Sequence, residues 1–136
     1  MWTTSIMSKK TGKIDISKLN VPPEKHELKV ARYFAELGYD IEFIPPSNIP
    51  DVHRPDILMQ GKEWEIKSPQ GKAKRTIEQN YRKAAKQSKF IIFDLRRCPI
   101  PESQSLGQLQ REFTDRHTKR LLVILKNGSL QEYSQK

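Results

Sequence analysis

The sequence is poor in cysteine, histidine and long apolar runs, and each scarcity excludes a class of protein. Cys98 is the single cysteine, so no disulfide can form within the chain, and the three histidines make a structural zinc site a poor fit. No apolar run approaches the roughly 18 residues that span a bilayer. The opening MWTTSIMSKK lacks the apolar segment and the cleavage site of a signal peptide. We therefore predict no disulfide scaffold, membrane span or secretory leader.

Length and charge describe a small basic protein. The 136 residues are enough for one real core, so we expect one domain. Lys and Arg number 25 against 16 Asp and Glu, which gives a formal net charge of +9 at pH 7. This excess favours an anionic partner, and nucleic acid is the leading candidate. Residues 1–20 are polar and aperiodic, which predicts a flexible arm or linker before a domain over residues 21–136.

Helical and strand periodicities alternate along the rest of the chain. Three helices are predicted near residues 22–38, 76–88 and 103–119. Thr76 followed by Gln79 matches a capping box with Thr76 as the N-cap. Strands are predicted in YDIEFIPP, PDILM, EWEIK, KFIIFDL and RLLVILKNGSLQEYS, the last a hairpin with a type I′ turn at Asn127–Gly128. The order predicts an α/β fold with a mixed central β-sheet flanked by helices.

Three ionisable residues lie on the predicted hairpin PDILMQGKEWEIK. Alternation places Glu65 and Lys67 on one face of the second strand and Trp64 on the other, where we expect it to join the core. Pairing about the Gln60–Lys62 turn brings Asp56 close to both charged residues. Two neighbouring carboxylates disfavour joint ionisation unless a cation separates them. Hard oxygen ligands suit Mg²⁺ or Mn²⁺, with Zn²⁺ as the alternative, so we predict Asp56 and Glu65 as metal ligands.

The spacing of Pro55–Asp56 and Glu65–Ile66–Lys67 resembles the PD-(D/E)XK nuclease superfamily, and so does the order of a helix, a hairpin, a helix and a buried strand. Residues 22–126 further resemble the C-terminal tRNase domain of contact-dependent growth inhibition toxins, through ELKVARYFAELGYDIEFIPP, RPDILMQGKEWEIKSPQGK and TIEQNYRKAAKQSKFIIFDLRR. The resemblance implies a restriction-endonuclease-like core and a metal-assisted endonuclease that cleaves tRNA.

The same resemblance implies a fourth catalytic residue and a partner. A glutamate on the first helix joins the hairpin residues in that family, and Glu27 matches it because it shares a stripe with Ala31 and Phe34; Glu24 is the fallback. The implied catalytic set is Glu27, Asp56, Glu65 and Lys67. Related polymorphic toxin domains act in the cytoplasm of a target cell and are restrained by a cognate immunity protein, so both become expectations for this chain.

A basic segment follows the predicted site. We predict nucleic-acid contacts from Lys72, Lys74, Arg75, Arg82, Lys83 and Lys86. Ser68 and Gln79 are candidates to reach the scissile phosphate or a water, although the capping box accounts equally well for Gln79. His53 is an auxiliary candidate as an acid, a base or a phosphate contact, against the plainer interpretation of a loop histidine.

Several alternatives remain open at the level of sequence. The nucleophile can be a metal-activated water or the RNA 2′-hydroxyl, which would leave a cyclic phosphate. The same residues would also serve a DNA endonuclease of the superfamily. A third hypothesis is a non-catalytic nucleic-acid-binding module on a nuclease scaffold, which would bind without turnover. The sequence does not indicate the tRNA, the bond that is cut or the oligomeric state.

Overall fold

The protein, described over residues 10–136 of a computed structural model, contains a seven-stranded sheet and three helices. The strands are β1 (Ile14–Asp15), β2 (Ile41–Phe43), β3 (Ile57–Met59), β4 (Lys62–Lys67), β5 (Phe90–Asp94), β6 (Arg120–Ile124) and β7 (Leu130–Ser134). The helices are α1 (Lys25–Glu36), α2 (Thr76–Gln87) and α3 (Glu102–Asp115). The predicted α/β class with a mixed, helix-flanked sheet is confirmed. Within residues 10–136, no helix has both the length and the apolar character needed to cross a membrane.

The strands lie in the order β1 to β7, with parallel and antiparallel pairs in one sheet. Strands β1 and β2 are parallel, β2, β3 and β4 are antiparallel, β4, β5 and β6 are parallel, and β6 and β7 form an antiparallel hairpin. Each parallel β4–β5 and β5–β6 step crosses through a helix, as parallel connections require. The central strand β4 thus joins an antiparallel half to a parallel half.

A separate apolar core covers each face of the sheet. On one face, Val30, Ala31 and Phe34 of α1 pack with Trp64 and Ile66 of β4, and all five side chains are nearly inaccessible to solvent. On the other face, residues of α2 and α3 pack against β5 and β6. Trp64 is fully buried, and its Nε1 donates to the carbonyl of Met59 at 3.0 Å, so its predicted place in the core is confirmed.

The N-terminal boundary of the fold lies earlier than the sequence predicts. Residues 1–9 of the expected arm lie outside the described residues. Ile14 and Asp15 form β1, which is parallel to β2, and the amide of Gly12 donates to the carbonyl of Ala35 at 2.7 Å. Leu19 also packs against the α1 core. The assignment of residues 10–20 to an arm is therefore wrong, because a two-residue strand is too short to produce a visible alternation.

The start of α2 differs from the predicted capping box. The helix begins at Thr76 itself, with Arg75 in the cap position and no side-chain cap hydrogen bond. Gln79 donates its amide to the carbonyl of Arg75 at 2.9 Å. Thr76 is 9% exposed and packs against Gly71, where an added Cβ would lie 2.9 Å from its hydroxyl oxygen. Packing against the preceding loop thus replaces the expected capping role.

The two-residue turn occurs in the first hairpin rather than the second. Gln60 and Gly61 have φ angles of 54° and 74°, as a type I′ turn requires, and they join β3 directly to β4. The prediction of that turn at Asn127–Gly128 is wrong, since Gly128 has a positive φ and Asn127 does not. The Asn127 side chain instead accepts a hydrogen bond from the amide of Ser129 at 3.0 Å within a longer loop.

Candidate active site

The candidate site forms where β3 and β4 separate. Asp56, immediately before β3, donates its amide to the carbonyl of Trp64 at 3.0 Å. The pairing of β3 with β4 ends at Trp64, so the amide of Ile66 has no backbone partner on β3. The Asp56 Oδ2 atom accepts that amide hydrogen at 2.8 Å. The fork in the sheet therefore fixes the Asp56 carboxylate in position.

Helix α1 supplies a second carboxylate. Glu27 is one turn before Ala31 and two turns before Phe34 on the stripe that packs against the sheet. At the N-terminal end of that stripe it extends beyond the core and interacts with the side chain of Asp56. The structure thus brings Glu27 to the hairpin residues, as the family resemblance implies.

Strand β4 supplies a glutamate and a lysine on the face opposite Trp64. Glu65 is 4% exposed, and its Oε2 lies 3.6 Å from the Nζ of Lys67. In the orientation of its amide that satisfies both polar atoms, Gln87 donates to Oε2 and Oε1 of Glu65 at 2.8 and 3.0 Å. Gln87, the last residue of α2, was not predicted. The available signal was its position three residues after the buried Ala84.

Burial and mutual repulsion raise the pKa values of all three carboxyl groups. Burial, followed by the charge of Asp56, raises the pKa of Glu27 to about 7 and that of Glu65 to about 8. Burial also raises the pKa of Asp56, against the lowering effects of the Ile66 amide and the Lys67 charge. One nearby lysine is insufficient to keep three carboxylates ionised, and a divalent cation would relieve the repulsion.

The carboxylates form two groups that share Glu27. Asp56 lies between Glu27 and Glu65 and interacts with both. Glu24, His26 and Glu27 can also each offer one ligand atom with all three atoms within 4.8 Å. The Glu24 side chain is 73% exposed and lies 3.5 Å from His26, which makes it a poorly fixed ligand. Glu65 is buried and Glu27 and Asp56 are partly buried, and their carboxylate oxygens are the ligand type that hard divalent cations prefer.

Four of the six predicted nucleic-acid-binding residues lie at or on α2 and form two sets, and Lys72 and Lys74 precede that helix. All six are exposed: Lys72, Lys74, Arg75, Arg82, Lys83 and Lys86. Arg75 and Arg82 both form ion pairs with Glu78, which partly neutralises the N-terminal half of α2. Lys83 and Lys86 are near the C-terminal end of the same helix, where Gln87 contacts Glu65. The second set is therefore the closer one to the carboxylates.

The three auxiliary candidates have different surroundings. His53 is exposed and lines a cavity of about 470 Å³ with Lys83, Lys86 and Gln87, so it lies beside the site. Ser68 directly follows Lys67 and is 8% exposed. Gln79 is exposed on α2, and no side-chain hydrogen bond ties it to the carboxylates. The glutamine of α2 that contacts a carboxylate of the site is Gln87.

A second cavity lies beside α1, at the carboxyl ends of β4 and β5. It has a volume of about 480 Å³ and includes Ser68, His26 and Lys29 in its lining. It also contains Asp94, which binds Arg96 through two hydrogen bonds of 2.9 and 2.8 Å. Asp94 and Arg96 thus form an ion pair at the end of β5.

Comparisons with known proteins found one family model and one solved structure that match this chain. The model of the family described as "Contact-dependent growth inhibition CdiA C-terminal domain" matches residues 53–130, more than half of the chain. A solved structure described as "CdiA-CT/CdiI toxin and immunity complex from Burkholderia pseudomallei" contains a similar chain, with a TM-score of 0.66 and 18% sequence identity. The alignment covers 91% of this chain and 100% of that one. At this identity the likeness supports the fold. No curated protein matches the sequence.

Proposed function

The chain belongs to the contact-dependent growth inhibition CdiA C-terminal domain family, and from this premise we propose that it is a toxin domain that cleaves tRNA. The observation that carries the proposal is the convergence of Glu27, Asp56, Glu65 and Lys67 at the fork between β3 and β4. Two carboxylates and a lysine on such a hairpin are the residues of a PD-(D/E)XK nuclease. The net charge of +9 suits a polyanionic substrate.

The four side chains have complementary roles in phosphodiester cleavage. An attacking oxygen, from water or the RNA 2′-hydroxyl, loses a proton to a base as it forms a bond to phosphorus, while the opposite phosphorus–oxygen bond breaks and the leaving oxygen gains a proton. Lys67 stabilises the negative charge that develops on the phosphoryl oxygens. The pKa of Glu65 is raised to about 8. Its carboxyl group can therefore exchange a proton in the neutral pH range. Asp56 and Glu27 fix the geometry around the phosphate.

We further propose that Asp56 and Glu65 bind Mg²⁺ or Mn²⁺, with Glu27 completing or orienting the site. The fit rests on the donor set, since all three residues offer carboxylate oxygens and the Ile66 amide holds Asp56 through only one of its two oxygens. A bound divalent cation would polarise the phosphate and assist formation of the nucleophile. Gln87 orients the Glu65 carboxylate, as the outer hydrogen bonds of metal ligands commonly do.

A cognate immunity protein is the partner we propose. The similar Burkholderia pseudomallei structure is a toxin and immunity complex, and an acidic protein would complement this basic chain and associate rapidly. The site of action would be the cytoplasm of a target cell.

Cleavage of total tRNA by the purified protein tests the proposal. We expect fragments in Mg²⁺, none in EDTA and none from Lys67→Ala in a protein that still unfolds cooperatively. Mapping both fragment ends distinguishes the two nucleophiles, because a cyclic phosphate indicates the 2′-hydroxyl. Plasmid cleavage with intact tRNA would replace the proposal with a DNA endonuclease. Binding of either nucleic acid without turnover in any divalent metal would indicate a non-catalytic module.

A further inference from the structure

The cavity beside α1, called here the flanking cavity, is lined by the sequence neighbours of two residues of the proposed site. Its lining includes His26, which precedes Glu27, and Ser68, which follows Lys67. It lies at the carboxyl ends of the parallel strands β4 and β5, where open α/β sheets commonly bind ligands. An extended nucleic-acid strand whose phosphate reached Lys67 would therefore pass close to it.

Four cationic side chains and one carboxylate line the flanking cavity: Lys25, Lys29, Arg96, Arg97 and Asp94. Arg96 holds Asp94 through both carboxylate oxygens and stacks on the ring of Tyr33 at 5.3 Å. The one acid is therefore neutralised locally. Lys25 and Lys29 are exposed and make no ion pair with any residue in the described part of the chain. The cavity carries an uncompensated positive charge.

Arg97 and Ser68 are held in place by the fold, yet each has polar atoms that make no hydrogen bond within the described residues. Arg97 donates its Nε to the carbonyl of Ser68 at 2.9 Å, which positions the guanidinium while its terminal nitrogens make no hydrogen bond within residues 10–136. The Ser68 side chain is 8% exposed, and its hydroxyl has no hydrogen-bond partner among the described residues. Buried hydroxyls are rarely left unpaired, and a ligand oxygen would satisfy this one.

We propose that the flanking cavity binds a phosphate group of the RNA adjacent to the scissile one. The proposal rests on the nuclease function proposed above and assigns it a second substrate contact. Guanidinium groups match the geometry of phosphate oxygens, and the flexible lysines add charge. Lys25, Lys29, Arg97 and Ser68 would fix the strand so that the scissile phosphate meets Lys67.

Binding of dinucleotides to a Lys67→Ala background tests the subsite without cleavage. The probes are UpU, pUpU and UpUp, titrated by calorimetry, with inorganic phosphate as a separate arm. We expect one terminal phosphate to tighten binding about tenfold and to shift the backbone amide resonances of Ser68 and Arg97. Lys25→Ala/Lys29→Ala should abolish that gain.

The matched control removes two lysines from the other end of the parallel strands. Lys89 and Lys119 are exposed and precede β5 and β6, so Lys89→Ala/Lys119→Ala lowers the net charge equally and should retain the gain. If both double variants lost the tighter binding equally, net charge alone would explain the effect and the proposal would be overturned. The proposal would also be overturned if neither terminal phosphate tightened dinucleotide binding, or if inorganic phosphate bound but no phosphorylated dinucleotide bound more tightly than UpU.

Ser68→Ala provides a readout that a structural role would not give. Because the hydroxyl has no partner in the fold, we expect an unchanged or raised Tm together with weaker binding of the phosphorylated dinucleotide. A lowered Tm with unchanged binding would contradict the assignment. These binding outcomes do not depend on turnover, so failure of the subsite and failure of the nuclease proposal can be told apart. If tRNA is cleaved but KM is unchanged in Lys25→Ala/Lys29→Ala, the subsite alone fails.

Discussion

The hairpins β3–β4 and β6–β7 each contain a glutamate beside a cation, yet the two pairs lie in different surroundings. Glu132 and Arg120 meet at 3.0 Å with side-chain exposures of 57% and 34%. Glu65 and Lys67 meet at 3.6 Å with exposures of 5% and 20%, and Glu65 also lies against the carboxylate of Asp56. An exposed pair contributes little to stability, whereas crowded buried carboxylates destabilise the metal-free fold. Such a cost is expected at a functional site.

The largest difference between the hairpins should appear in catalysis. We expect Asp56→Asn to lower the rate of tRNA cleavage more than about 100-fold, since it removes a negative charge while an amide oxygen can still accept from Ile66. Glu132→Gln should leave the rate unchanged. Single-turnover cleavage on gels measures the rate, and thermal unfolding checks the fold. Equal activity of the two variants would refute the assignment of the site.

The next effect concerns Gln87 and Gln79, two glutamines on one helix. Gln87→Ala removes the hydrogen bonds to both oxygens of Glu65, and we expect kcat to fall about 10- to 100-fold. Gln79→Ala, on an exposed part of α2, serves as the matched control and should have little effect. The reverse result, a defect in Gln79→Ala alone, would restore the role that the sequence suggested for Gln79.

The pH dependence of stability should also differ. Glu27 and Glu65 have pKa values raised from 4.5 to about 7 and about 8 in the folded protein. As the pH rises, the unfolded chain loses these two protons at a lower pH than the folded protein does. The metal-free protein should therefore lose stability between about pH 4.5 and about pH 8. Urea unfolding in EDTA at several pH values measures this loss, and Mg²⁺ should reverse it.

Glu65→Gln isolates the contribution of one buried carboxyl group to that pH dependence. We expect the loss of stability between pH 7 and 8 to become shallower, because the amide does not titrate. Glu132→Gln is the control, because it shows how removal of an exposed carboxylate changes the pH dependence of stability. Identical profiles for the two variants would mean that burial at the fork does not govern the titration.

The smallest effect concerns the turns. Gly61 and Gly128 have φ angles of 74° and 89°, with no atom within 4 Å of an added Cβ. Alanine at either position should therefore lower the free energy of unfolding by about 1–2 kcal/mol through backbone strain alone. Chemical denaturation measures both. A much larger loss at Gly61 than at Gly128 would show that the tight turn at Gln60 and Gly61 contributes more than local strain to the β3–β4 hairpin.

Local patterns predicted most of the fold and the grouping of Asp56, Glu65 and Lys67 on the first hairpin, whereas the family resemblance is what added Glu27 to that group. Alternation alone places Trp64 in the core and Glu65 on the opposite face, and helical spacing identifies Glu27 as an acid on an apolar stripe. These signals suffice because each depends on neighbours within a few residues. Their meeting at the fork depends only on the hairpin and on the packing of α1 against it.

The flanking cavity depends on contacts between distant segments. Arg96 donates to the carbonyl of Lys29 at 3.4 Å, although the two residues are 67 positions apart. Neither Lys25 nor Lys29 differs in sequence from an ordinary exposed lysine, and Arg97 follows a strand whose partner is set by the parallel crossover through α2. No periodic pattern in the sequence predicts that these distant segments come together, so the flanking cavity is visible only in the folded chain.

The change of partner along β4 has a mechanical consequence. Asp56 belongs to the antiparallel half of the sheet, whereas Lys67 is paired through the backbone with β5 in the parallel half. The hydrogen bond from the Ile66 amide to Asp56 crosses the junction between them. A partner protein that bound both halves of the sheet and changed the angle between them would move Asp56 relative to Lys67. Such a partner would change the geometry of the proposed site without contacting any of its side chains.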